Sequence, residues 1–158
     1  MREPSPDALT VRAARREDVP RIVELLADDT LGATREALGD PLPDGYWAAF
    51  DEIDRDPRNR LLVGEVDGRV VATLQLTFLP GLSRRGAWRA QVEAVRVARE
   101  ARGAGLGRRL MAVAIDEARA RGCRVVQLTT DRSRVDAHRF YETLGFRASH
   151  LGMKLPLE

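Results

Sequence analysis

Cysteine and lysine each occur once, as Cys123 and Lys154. A lone cysteine excludes an internal disulfide and a multi-cysteine zinc site and fits a reducing compartment. No metal site is expected. All 26 basic side chains except Lys154 are arginine, and 24 acidic ones oppose them, so the formal charge is only +2. Aromatic residues make up 5% of the chain, and Trp88 alone lies among the densest arginines. A nucleic-acid-binding face would interleave exposed aromatics with basic side chains, so no nucleic-acid partner is expected. No apolar run reaches membrane length, and the opening stretch MREPSPD lacks the apolar core of a signal peptide. The expectation is a soluble cytoplasmic protein with no membrane partner.

Hydrophobic residues make up 44% of the chain, enough at this length for one domain with a real core. Residues 1–158 are read as that domain, with residues 1–7 as a short disordered lead. Leu9–Ala14 reads as a strand. Arg16-Glu-Asp-Val-Pro20 puts acids and a proline where a first helical turn favours negative charge and tolerates a missing donor, and Val19, Ile22, Val23, Leu25 and Leu26 carry that helix to about Ala27. Periodicity then fails from Asp28 to Pro43, where only Thr34–Leu38 suits a short helical piece. A loop of that length in a compact domain is usually functional or mobile. Asp44 is positioned to cap a helix over Gly45–Arg55.

Arg60–Val66 and Arg69–Phe78 read as strands joined by Asp67-Gly68, a dipeptide suited to a tight hairpin, and Gly86–Val97 as the next strand of an antiparallel meander. A long amphipathic helix follows, with Leu106, Leu110, Val113, Ala114 and Ala118 on one face and Gly122 as its terminator. Cys123–Thr130 is apolar enough for an interior strand reached by a right-handed parallel crossover. Ser133-Arg-Val-Asp136 fits a capping box for a last helix that would bury Ala137, Phe140, Tyr141 and Leu144. Phe146–Leu157 reads as one or two closing strands.

The stretch Val92–Arg109 organises the rest. It opens as a strand, crosses a charged connection and closes on Arg102-Gly-Ala-Gly-Leu-Gly107 at a helix start. Gly103, Gly105 and Gly107 let several backbone N–H groups face one anion beside the positive end of a helix, with Arg102, Arg108 and Arg109 adding charge. A dinucleotide fingerprint fails because position 108 is arginine, and no Gly-Lys-Ser/Thr follows for a P-loop. A plain strand-to-helix turn is the alternative.

The spacing Arg102-x-x-Gly105-x-Gly107, after a strand with Val95 and Val97, resembles the acyl-CoA pyrophosphate loop of the GCN5-related N-acetyltransferase (GNAT) family. The run Ala137-His-Arg-Phe-Tyr-Glu-Thr-Leu-Gly-Phe146 resembles that family's closing helix and following strand. The resemblance implies a mixed α/β fold: a mostly antiparallel twisted sheet of six to seven strands with one parallel crossover, flanked by about four helices. It implies acetyl-CoA as co-substrate and direct transfer of the acetyl group to an amine. Val95, Arg96 and Val97 would pair through their backbone with the pantetheine arm, and backbone N–H near Val95 would face the acetyl carbonyl. Arg102, Gly103, Ala104, Gly105, Leu106, Gly107 and Arg108 would hold the pyrophosphate. Tyr141 matches the family tyrosine that protonates the departing thiolate, and as a neutral phenol it is also suited to anchor the last helix. The family often carries asparagine where this chain has Arg134, so a cofactor contact is assigned weakly to Ser133 and Arg134. Pairing into a homodimer is compatible with the resemblance.

Glu93 is the candidate general base, read as sharing a strand face with Val95 and Val97; a solvent-facing or ion-paired glutamate is the alternative. His138, one turn before Tyr141, reads as a surface or capping residue or as one that orients the phenol. Cys123 reads as a small buried apolar residue. Trp47 suits the core better than an acceptor-stacking role.

Charge is uneven along the chain. From Asp28 to Asp56 nine acidic residues face only Arg35 and Arg55, a balance of −7, and from Gly81 to Ala112 eight arginines face Glu93 and Glu100, a balance of +6. The basic block suits an anionic donor. The acidic block suits a cationic small-molecule acceptor, or is a solvated helix face. A protein N-terminus or lysine is the alternative acceptor. The rival class is an acyl-CoA-binding sensor or assembly module of the same fold that no longer transfers.

Overall fold

The computed structural model describes residues 5–158. It divides into two compact units, one ending at Gln127 and the other spanning Leu128–Glu158. The expected disordered lead lies in part outside the described residues; Pro6–Ala8 itself is a 3₁₀ turn, with the Ser5 hydroxyl accepting from the Asp7 amide at 3.3 Å.

In the first unit a sheet is laid down in chain order, β1 (Thr10–Ala13), β2 (Asn59–Val66), β3 (Arg69–Leu79), β4 (Arg89–Val97) and β5 (Val125–Leu128). The first four pair antiparallel, and the β4 to β5 step adds the parallel pairing of a mixed sheet. The turn between β2 and β3 forms as its sequence dictates, with Asp67 and Gly68 at φ of 49° and 74°. β3 is buried over Val70–Leu74 and again at Leu76 and Phe78, as a strand covered on both faces must be.

Helices α1 (Val19–Ala27) and α5 (Leu106–Ala120) pack on β3 and β4, and α3 (Asp44–Arg55) packs on β2. Leu106, Leu110, Met111, Ala114 and Ala118 form the buried stripe of α5. Its other side is pinned where Arg60 of β2 donates twice to Glu117, at 3.0 and 3.2 Å. Two single-turn pieces, α2 (Gly32–Arg35) and α4 (Ser83–Gly86), lie in the connections.

Several boundaries move for identifiable reasons. The helical piece in the 28–43 loop is Gly32–Arg35 because Gly32 lies against the end of α1: an added Cβ would fall 1.9 Å from the Leu26 carbonyl oxygen. Residues 16–18 form a 3₁₀ turn before α1, because the buried Asp18 carboxylate accepts the Arg15 amide at 2.7 Å and two bonds from Arg12 at 2.7 and 3.0 Å. Asp44 is the first residue of α3 rather than its cap, a place taken by Pro43. Trp47 is only half-buried, under the Arg16 guanidinium at 5.0 Å from the ring centroid, while Phe50 is the aromatic that reaches the core.

Among the described residues the sheet has five strands, fewer than the six to seven expected. Phe146–Leu157 is not among them, and Pro156 has no N–H to offer a ladder. Among the described residues β5 stands last in the strand order, where an interior position was expected. It also starts later than expected, since Gly122 at φ 76° closes α5 and the Cys123 amide donates to the Ala118 carbonyl at 3.0 Å. Cys123 is half-buried in that turn, and desolvation raises its thiol above the ordinary range.

The second unit contains α6 (Val135–Thr143), preceded by a short polar turn. No capping box forms there. Asp131 captures the Ser133 hydroxyl at 2.7 Å and the Ser133 amide at 3.0 Å, leaving Arg134 as an N-cap without a side-chain bond. Ala137, Phe140, Tyr141 and Leu144 form the expected stripe but are half-buried, and no residue of α6 is fully buried.

Candidate functional site

The chemistry-bearing stretch of the first unit begins with a defect in β4. Gln75 pairs with Glu93 and Thr73 with Arg96, so Ala94 and Val95 together face a single β3 residue. Ala94 takes φ 54°, an uncommon value for a residue with a Cβ. This is a β-bulge, which bends the strand and withdraws backbone groups from the ladder. Register partners share a face, so the bulge also reassigns side chains. Val92 and Val97 join the core face with Leu76 and Ala72, whereas Glu93 and Arg96 share the opposite face with Gln75 and Thr73. The simple alternation of Glu93 with Val95 and Val97 therefore breaks at Ala94. Nothing in the residue type at 94 announces the bulge, and sequence reading missed it.

Glu93 is exposed on that face. Arg96 is turned along the strand: Nη1 donates to the Val95 carbonyl at 2.9 Å, and Nε lies 3.1 Å from Asp29 Oδ2. Beyond Val97 the chain makes a 3₁₀ turn, Arg99–Ala101, whose Ala101 is buried. Arg102 folds back so that Nε donates to the Val97 carbonyl at 3.0 Å.

The glycine run then turns into α5. Gly103 and Gly105 sit at φ 83° and 77°, and Gly105 is the N-cap of the helix. No side chain caps this terminus, so the first N–H groups of a fifteen-residue helix face outward beside the exposed Arg108. Pro6 lies beside Gly105, where an added Cβ would meet its Cγ at 3.0 Å. Leu106 anchors the loop in the core, while nothing lies within 4 Å of where a Cβ would stand on Gly103. The arrangement fits a phosphate group: the helix start has no side-chain cap, neither left-handed position carries a Cβ, and Arg102 and Arg108 flank the loop.

The acidic and basic blocks are not segregated as their sequence positions imply. Asp28 is 3.4 Å from Arg99 and 3.7 Å from Arg102 and also accepts from the Arg99 amide, while Asp29 engages Arg96. Asp51 pairs with Arg16, and Glu36 accepts from the Tyr46 hydroxyl at 2.6 Å. Much of the acidic surplus between residues 28 and 56 is thus committed within the protein. Among the described residues no group of three or more His, Cys, Asp and Glu side chains is arranged to hold a metal ion, and no helix is long and apolar enough to cross a membrane.

The remaining candidates belong to the second unit. Tyr141 is half-buried between Phe140 and Phe146, with ring centroids at 5.2 and 5.8 Å and tilted or edge-on geometry. His138 Nε2 lies 2.8 Å from the Asp131 carbonyl oxygen, so its ring fastens the helix to the preceding turn. Ser133 is occupied by Asp131, and the Arg134 amide donates to the Asp131 carbonyl at 3.0 Å. Glu93, Val95–Val97 and Arg102–Arg108 belong to the first unit, and Ser133, Arg134 and Tyr141 to the second.

Comparison with known proteins agrees with this geometry. The profile of the Acetyltransferase (GNAT) family matches residues 19–146. Aminoalkylphosphonate N-acetyltransferase of Salmonella typhimurium is 31% identical over 147 residues, covering 86% of this chain and 92% of that protein. Glucosamine 6-phosphate N-acetyltransferase of Trypanosoma brucei brucei is 37% identical over 90 residues, covering 57% and 59% respectively. Among solved structures, a transcriptional regulator from Bacillus halodurans C-125 superposes with a TM-score of 0.92 at 48% identity, over 94% of this chain and 99% of that one. A strand broken by a bulge, a glycine turn and an open helix start, within a chain that the family profile spans from α1 to Phe146, mark this protein as an acetyltransferase of the GNAT family.

Proposed function

We propose that this enzyme transfers the acetyl group of acetyl-CoA directly to the primary amine of a small molecule, acting in the cytoplasm as a single catalytic domain. The observation that carries the reading is the bulge at Ala94 placed one short turn before the bare N-terminus of α5. The outer amides of Gly103–Arg108 then hold the pyrophosphate, and the bulged backbone of Val95–Val97 takes the pantetheine arm as an added strand.

Chemistry requires the amine nitrogen to attack the acetyl carbonyl carbon and the carbon–sulfur bond to break. Backbone N–H near Val95 faces the carbonyl oxygen, where it stabilises the negative charge that develops there. Glu93, exposed on the bulged face, takes a proton from the incoming ammonium, directly or through water. Tyr141 donates its phenolic proton to the departing thiolate and recovers one from solvent. The ring contacts with Phe140 and Phe146 fix the phenol for this task. Ser133 and Arg134 are assigned only a supporting contact with the donor.

The acceptor is the open half of the reading. Free acidic side chains would favour a cationic amine, but Asp28 and Asp29 already pair with arginines, which weakens that argument. Two relatives act on amines that carry a phosphonate or phosphate group, by their names. That observation favours a second reading, an amine whose anionic group is met by arginine. A panel of spermidine, glucosamine, glucosamine 6-phosphate, an aminoalkylphosphonate and a peptide amine, followed by free-thiol release from acetyl-CoA, tests both. Amine-dependent release is expected. Binding of acetyl-CoA with no release for any amine would favour the sensor class instead.

A further inference from the structure

We infer that the acceptor is a hydroxylated amine, of the amino-sugar or amino-polyol class, read by a row of side-chain amides that crosses the sheet beside Glu93. The place of Glu93 as base rests on the proposed function; the row itself rests on contacts inside the first unit.

Strand pairing builds the row. Asn59 of β2 lies opposite Thr77 of β3, and Thr77 opposite Gln91 of β4. Gln127 of β5 continues it, its Nε2 donating to Gln91 Oε1 at 2.7 Å. Two residues along, on the same face, Gln75 lies opposite Glu93. The other face of these strands is ordinary core, with Leu76, Phe78, Ala90 and Val92 buried. Side-chain amides are poor strand formers, and the sheet gains nothing from them that Val or Thr would not supply better. Three glutamines on adjoining strands around one carboxylate therefore call for a ligand.

The amides are fixed in place with part of their capacity unspent. Thr77 Oγ1 and Gln75 Nε2 donate to Asn59 Oδ1 at 2.8 and 3.3 Å, and Asn59 Nδ2 donates to Asp56 Oδ2 at 3.2 Å, which moors the row at the end of α3. Within the first unit this leaves Gln75 Oε1, Gln91 Nε2 and Gln127 Oε1 without a partner. They are an acceptor, a donor and an acceptor, each positioned by the bond that the other end of its own amide makes. Hydroxyl groups, which both donate and accept, match that set. Glu93 is the one charge among these side chains and suits a single ammonium. Arg89 and Arg96 share the face but stand beyond the row in either direction along β4. A polyamine needs further carboxylates. An alkyl amine would desolvate the amides and leave them unpaired, which costs more than the contact returns.

Calorimetry on the full chain saturated with CoA tests the row without requiring turnover. Glucosamine is expected to bind at least about tenfold more tightly than cyclohexylamine, a ring amine without hydroxyls, and than spermidine, as for two or more hydrogen bonds. Gln91→Leu is expected to weaken glucosamine about fivefold, the scale of one lost hydrogen bond, and to narrow its lead over cyclohexylamine, with the Kd for CoA unchanged. Gln75→Leu removes a different member of the row and is expected to act alike, so a folding fault in one variant does not decide the matter. A wild type with no preference for glucosamine overturns the proposal. So does equal weakening of glucosamine and cyclohexylamine in both variants, which would assign the amides to holding the sheet. If glucosamine binds with the expected preference yet no thiol is released from acetyl-CoA, the transfer reading fails and the row stands. If another amine is acetylated and glucosamine has no preference, transfer stands and the row fails.

Discussion

Two side chains carry most of what can be tested residue by residue. Tyr141 is held by rings on both sides, so removing its hydroxyl alone leaves the packing in place. Tyr141→Phe is expected to lower kcat by about 10²-fold, the scale of a lost general acid, with the KM for acetyl-CoA nearly unchanged in steady-state assays. A matched rise in KM would assign the residue to binding. Asp18 acts on stability instead. It is buried, and the Arg12 guanidinium holds its carboxyl below the usual carboxylate range, against the desolvation that would raise it. A group depressed in the folded state stabilises the fold above its unfolded pKa, about 3.9, and that contribution is lost as pH falls through the lower folded value. Urea unfolding at neutral pH is expected to show Asp18→Ala weaker by about 3 kcal/mol, as for a broken buried pair. The gap should narrow below about pH 4.

At the scale of elements, the glycine turn and α5 form one device. Gly105 combines a left-handed φ with Pro6 close to where a Cβ would lie, so a β-branched replacement is strained and intrudes on the outer face. Gly105→Val is expected to raise the Kd for CoA at least tenfold by calorimetry while leaving α5, whose core stripe is untouched, folded by circular dichroism. This turn was readable from sequence because glycines at fixed spacing before an amphipathic stretch admit few structures. The bulge was not, because a one-residue insertion in a ladder is decided by the partner strand, and Ala94 has no feature that demands φ 54°. The capping box failed for a similar reason: Asp131 lies two residues before Ser133 and competes for its hydroxyl. The charge blocks misled because net charge per segment ignores pairing across the fold, as Asp28 with Arg99 and Asp29 with Arg96 demonstrate.

For the whole molecule, the meander, the crossover helix and the family were legible because each rests on local periodicity or on a spaced motif. The strand count was not. Phe146–Leu157 has the alternation of a strand but is not assigned as one, because alternation alone does not supply the neighbour that a ladder needs. The central claim is direct acetyl transfer on the loop that β4 and α5 create, without an acetylated enzyme. Its most direct test is a single-turnover reaction of excess enzyme with acetyl-CoA labelled in the acetyl group, quenched before and after addition of the preferred amine and read by mass spectrometry. The account predicts no label on the protein at any time and label on the amine nitrogen only after amine is added. Label accumulating on a side chain before amine arrives would contradict it.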